Sequence, residues 1–165
     1  MIRILFVCHG NICRSPMAAY VMRNMAQQAG VGDNFVIDSA ATSREELGNP
    51  VYPPAKRKLA EHGISCEGHA ARQMQSSDYE QYDLLIGMDQ ANIRNMQRIC
   101  KGDPDEKMHL LMDYAERSGR EVADPWYTRD FETTWRDVEE GCRGLLQNCM
   151  KKLSPASHVD GSLKR

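Results

Sequence analysis

Ile2-Arg3-Ile4-Leu5-Phe6-Val7-Cys8-His9-Gly10-Asn11-Ile12-Cys13-Arg14-Ser15-Pro16 is the stretch from which the rest of the chain can be read. Ile2 to Val7 is apolar apart from Arg3 and too short for a helix, so it reads as a buried strand. Past Ser15, Ala18, Val21, Met22, Met25 and Ala29 recur at helical spacing. Pro16 suits the first helical turn, where its missing N–H is no loss. The stretch is therefore strand, tight loop, helix. Such a loop turns backbone N–H groups and the positive end of a helix dipole toward one point, and that point attracts an anion. The same field favours a thiolate over a thiol at Cys8. Gly10 and Asn11 tolerate the positive φ that an inward-facing loop demands. Arg14 closes the loop with a planar fork that matches phosphate oxygens. Cys8 as nucleophile toward a phosphate ester uses all of these features. Ser15 has two open roles: hydrogen-bond donor to the Cys8 sulfur, or helix N-cap.

Phe35 to Ile37 reads as a second strand ending at Asp38-Ser39. Ala40 to Pro54 reads as a long loop, marked by Gly48, Asn49, Pro50, Pro53 and Pro54. Ala55 to His62 is a short helix closed by Gly63. Ile64 to Met74 carries no clear period, and Asp78 sits near the start of another short helix. Leu84 to Met88 is a third strand, followed by Asp89 as cap of a helix with Ile93, Met96 and Cys100 inward. Gly102-Asp103-Pro104 is a turn, Met108 to Met112 a fourth strand, and Tyr114 to Tyr127 a polar loop. Phe131, Trp135, Val138, Cys142, Leu145, Leu146, Cys149 and Leu153 form the stripe of a long last helix.

Strands alternating with helices predict an α/β fold. It is a three-layer, doubly wound arrangement whose four-stranded, mostly parallel sheet carries helices on both faces and a phosphate loop after the first strand. Ligands in such folds sit beyond the carboxyl ends of the strands, where Cys8, Ser39 and Asp89 stand. At 165 residues the chain makes one domain, placed at 1–153, with a polar tail at 154–165.

A net charge of −2 leaves no footprint for nucleic acid or an acidic membrane. No run reaches membrane-spanning length, and the first residues lack a secretory signal. The six cysteines are irregularly spaced, with no C-x-x-C pair or His/Cys cluster, so neither a disulfide framework nor a metal site is expected. Cys66, Cys100, Cys142 and Cys149 read as packing residues.

Beyond the loop, Cys8-His9-Gly10-Asn11-Ile12-Cys13-Arg14-Ser15 with Pro16-Met17-Ala18 resembles the signature of the low-molecular-weight protein tyrosine phosphatases. Asp38 to Ser43, Gly48 to Pro50, His62 to Ile64, His69 to Gln73, Met88-Asp89 and Ala123 to Tyr127 match that family in order. The resemblance runs from Ile2 to about Lys152. It implies a phosphotyrosine-containing protein as substrate, a phosphocysteine on Cys8, and phosphate held by Arg14 and the backbone of His9 to Ser15. Asp124 is the implied general acid and then base. Asn11, Ser39 and His69 are implied to brace the loop, and Asp89 is a supporting acid of open role. Glu45, Leu47, Trp126 and Tyr127 are the expected pocket wall, with Glu45 where relatives often carry an aromatic and His9 at a variable position. Cys13 is either a small filler or, as in relatives, an oxidation partner of Cys8. The resemblance also implies a monomeric cytoplasmic enzyme without cofactor.

Three other readings compete. A protein-arginine phosphatase on the same scaffold tends to carry Thr where this loop has Ile12, whose branched apolar side chain suits a phenyl ring. An arsenate reductase needs resolving cysteines between Met74 and Ile99, where there are none. A non-catalytic phosphate-binding module predicts loss of Cys8, Arg14 or Asp124, and all three are present.

Overall fold

A computed structural model describes residues 1–153. The tail expected at 154–165 lies outside the described residues. Four strands, β1 (Ile2–Cys8), β2 (Phe35–Ala41), β3 (Leu84–Gly87) and β4 (Met108–Leu110), form one sheet in the order β2-β1-β3-β4. All three pairings are parallel. The expected doubly wound architecture is present, and its sheet is parallel throughout.

Side chains alternate across β1, and the two faces carry separate cores. Ile4, Phe6 and Cys8 pack with Met17, Met22, Trp135 and Cys142. Leu5 and Val7 pack with Met74, Tyr79, Leu85 and Met96. Helices α1 (Arg14–Gln28), α2 (Pro53–Glu61) and α6 (Phe131–Leu153) belong to the first side, α3 (Asp78–Gln81) and α4 (Gln90–Cys100) to the second. The apolar stripe expected on α6 is buried from Trp135 to Cys149, with Phe131 and Leu153 at its half-buried ends.

Four local expectations change. Ala29 is exposed beyond the end of α1, and Ala26 is the buried residue in the last turn. β2 continues through Ser39 to Ala41, because Cys8 at the end of β1 still has Ala41 as its partner. β4 stops at Leu110, and Leu111–Tyr114 tightens into a 3-10 turn. The polar loop after it contains a short helix, α5 (Pro125–Thr128), capped by the Asp124 side chain. The cap on α4 is as expected: the Asp89 carboxylate accepts from the Asn92 backbone N–H at 2.8 Å.

Among the described residues no helix is long and apolar enough to cross a membrane.

Candidate active site

β1 ends at Cys8 and α1 begins at Arg14, so His9 to Cys13 cross the carboxyl end of the sheet. Neighbouring segments hold the carbonyls of this crossing. Those of Cys8 and His9 accept from the N–H groups of Thr42 and Ser43, that of Ile12 from Tyr52, and that of Cys13 from Met17. The Asn11 carbonyl lies 2.8 Å from Nε2 of His69. Since a carbonyl only accepts, His69 donates there as the Nε2–H tautomer. Burial, outweighing the Asn11 contact and Asp38, lowers the His69 pKa and keeps the ring neutral. Holding successive carbonyls outward frees the loop's N–H groups for the other side.

Asn11 is fully buried with φ of 61°, a left-handed conformation that Asn tolerates better than most residues. Its amide nitrogen donates to Ser15 Oγ at 2.8 Å and Ser39 Oγ at 2.9 Å, and its amide oxygen accepts from the Arg72 N–H at 3.1 Å. Ser15 Oγ therefore already accepts one bond. Its hydrogen is left for the Cys8 sulfur at 3.1 Å or the Ala40 carbonyl at 3.4 Å, and the sulfur is the nearer. The Ser15 backbone N–H also points at that sulfur, at 3.4 Å. The alternative role for Ser15 is not seen, because Cys13 holds the N-cap position and no side chain caps α1.

Arg14 is 2% exposed. One nitrogen of its fork donates to Asp89 at 2.8 Å and to the Val122 carbonyl at 2.9 Å. The other reaches Asp124 at 3.4 Å. Burial opposes the charge, but the Cys8 sulfur, Asp89 and Asp124 outweigh it and raise the Arg14 pKa, so the guanidinium stays ionised. Asp124 sits between this fork and the Trp126 N–H, which it accepts at 3.0 Å.

These groups face one cavity of about 350 Å³. The buried Cys8, Ile12, Cys13 and Arg14 line its floor, the exposed His9, Glu45, Trp126 and Tyr127 its mouth, and Gly10, Glu46 and Asp124 complete the lining. Asn11, Ser15, Ser39, His69 and Asp89 stand behind the surface as supports. Leu47 is exposed and does not line the cavity; its neighbour Glu46 does. Glu45 lies 3.1 Å from His9 Nε2 across the rim. Cys13 shares the floor, but burial first, and then Cys8 and Asp124, push its thiol up to about 12.

Sequence reasoning missed Glu46 and Tyr52. The Tyr52 ring packs 5.0 Å from Trp126 and 6.1 Å from Phe131, so it backs the aromatic wall. An aromatic between two prolines on a loop is the only signal that pointed to it.

Residues 3–155 match the family model described as low molecular weight phosphotyrosine protein phosphatase. The chain is similar to the low molecular weight protein-tyrosine-phosphatase YfkJ of Bacillus subtilis. The two are 37% identical over 153 residues, covering 92% of this chain and 98% of the relative. The crystal structure of YfkJ superposes with a TM-score of 0.89, covering 92% of this chain and 96% of that one. The human low molecular weight phosphotyrosine protein phosphatase is 36% identical over 152 residues, covering 87% of this chain and 93% of the relative. A Drosophila arginine phosphatase has the same fold, at 26% identity and a TM-score of 0.80, over 89% of this chain and 97% of that one.

Proposed function

The chain belongs to the low molecular weight phosphotyrosine protein phosphatase family, and on that footing we propose that it hydrolyses phosphotyrosine on proteins through a phosphocysteine formed on Cys8. The observation that carries the proposal is the floor of the cavity. One sulfur there lies 3.1 Å from the Ser15 hydroxyl and shares the cavity with the Arg14 guanidinium and with Asp124, which is 3.4 Å from that guanidinium.

In the first step the Cys8 thiolate attacks phosphorus in line. A P–S bond forms as the P–O bond to the phenol breaks, and Asp124 gives its proton to the departing phenolate oxygen. The Arg14 fork and the loop N–H groups hold the equatorial oxygens as charge moves onto them. Arg14 is already aimed by Asp89 and Val122, so little reorientation remains. In the second step Asp124 takes a proton from water, the water oxygen attacks phosphorus, and the P–S bond breaks. The electron pair returns to sulfur, where the Ser15 hydroxyl stabilises it.

Ile12 in the lining, with Trp126 and Tyr127 at the mouth, supports an aryl substrate over a guanidinium one. One chain supplies every group the reaction as written uses, and we propose a monomeric enzyme. The reaction as written needs no cofactor, and we place it in the cytoplasm. Hydrolysis of para-nitrophenyl phosphate and of a phosphotyrosyl peptide tests the proposal. Activity is expected to vanish in Cys8→Ser and to fall about 100-fold or more in Asp124→Ala. An active Cys8→Ser protein overturns it.

A further inference from the structure

The wall of the catalytic cavity is also the wall of a second depression. This groove, of about 310 Å³, shares Ile12 and Glu46 with the cavity. We propose that it is the subsite for an aliphatic side chain flanking the phosphotyrosine of the substrate; the proposal rests on phosphotyrosine hydrolysis in the adjoining cavity.

Continuity comes first. A substrate chain whose phosphotyrosine enters the cavity has its neighbouring residues at the mouth, and Ile12 and Glu46 form the saddle from there into the groove. Tyr52 ties the two spaces together. It lines the groove, its N–H donates to the Ile12 carbonyl at 2.9 Å, and its ring packs on Trp126 of the cavity.

The groove is also preformed. Pro50 and Pro53 are exposed, line it, and have φ fixed by their rings. The segment before them is pinned by the Asn49 N–H on the Glu46 carbonyl, at 2.9 Å. Little ordering is left to be lost when a side chain enters.

Charge then selects the occupant. Glu46 stands at one rim with its carboxylate already accepting from the Asn49 amide at 2.7 Å. Lys56 stands among the lining residues as the opposite charge. One anion and one cation leave no single-sign field to recruit an acidic or a basic residue. The remaining surface of Ile12, Pro50, Tyr52 and Pro53 is apolar, and it gains most from covering an aliphatic side chain.

The test is a set of phosphotyrosyl peptides in an alanine host. Leu, Glu or Lys is placed in turn at each of the two positions on either side, and phosphate release is followed with the full chain. Expected is one flanking position at which Leu raises kcat/KM over Ala by about tenfold, the scale of burying most of a Leu side chain. Glu and Lys there give no such gain. Pro53→Asp puts a charge in the groove at the first residue of α2, where an acid suits the helix dipole. It should erase the Leu preference and leave hydrolysis of para-nitrophenyl phosphate unchanged. Pro50→Asp serves as a second variant, and circular dichroism checks that both fold.

A flat scan on peptides that are hydrolysed overturns the subsite while phosphotyrosine hydrolysis stands. So does a preference for Glu or Lys, or a Leu preference that survives both variants. Failure to hydrolyse any peptide or para-nitrophenyl phosphate overturns the reading of the cavity itself.

Discussion

Replacing Ser15 by Ala removes one oxygen from a fully buried position and is expected to slow one chemical step selectively. Ser15 Oγ accepts from the Asn11 amide at 2.8 Å and lies 3.1 Å from the Cys8 sulfur, to which it is the donor whenever that sulfur is a thiolate. A hydrogen bond to an ionised group is worth about 1.5–3 kcal/mol, or about 10- to 100-fold in rate. The sulfur regains its charge when the P–S bond breaks, so that step should bear the loss. In the first step the sulfur is charged at the outset, and losing the bond weakens ground state and transition state alike. Stopped-flow with para-nitrophenyl phosphate separates the two. Ser15→Ala should show a nearly unchanged initial burst of nitrophenol and a steady rate lower by about 10- to 100-fold. Asn11→Gly keeps the left-handed backbone but removes the amide that orients the hydroxyl. Alone it should slow the same step; in the Ser15→Ala background it should add little to that slowing. An unchanged steady rate in Ser15→Ala, a loss confined to the burst, or full additivity with Asn11→Gly would refute the assignment.

Three other outcomes follow from the same contacts. Gly144→Ala adds a Cβ that would stand 1.8 Å from the Tyr114 carbonyl oxygen, a backbone atom; the propensity gain of about 1 kcal/mol is outweighed, and a net loss of about 2 kcal/mol or more should lower the calorimetric Tm by about 4–8 °C. His69 has its pKa depressed below 6.5 by burial, so its contribution to stability is present above 6.5 and is lost as pH falls through the lower folded value. The urea midpoint of the wild type should therefore fall on that acid limb more steeply than that of His69→Gln. Cys13, with its thiol pushed up to about 12, should stay unmodified at neutral pH while iodoacetate labels Cys8, as read by peptide mass mapping.

The loop was legible because its chemistry is local. A short apolar run gives way to a helical period around Cys8 to Ser15, and the residue types between admit few backbone paths. Asp89 was legible as a helix cap, yet its hold on Arg14 was not, because a contact between residues 14 and 89 leaves no trace in local period. The same reason hides Val122, whose carbonyl also aims Arg14. In the segment from 42 to 52 there is no repeating structure to say which of two adjacent side chains turns inward. Leu47 was therefore named for the wall that Glu46 occupies. The extra length of β2 was missed because Ala40 and Ala41 lack β-branched bulk; their strand geometry is imposed by pairing with Val7 and Cys8.

Trapping the covalent intermediate tests the chemistry most directly. Asp124→Ala, whose second step lacks its base, is mixed with para-nitrophenyl phosphate, quenched in acid, digested and analysed by mass spectrometry. A phosphoryl group on the peptide carrying Cys8, absent in the Cys8→Ser protein, is the predicted result. Turnover with no phosphoenzyme, or a phosphoryl group on any other residue, would contradict a Cys8 nucleophile.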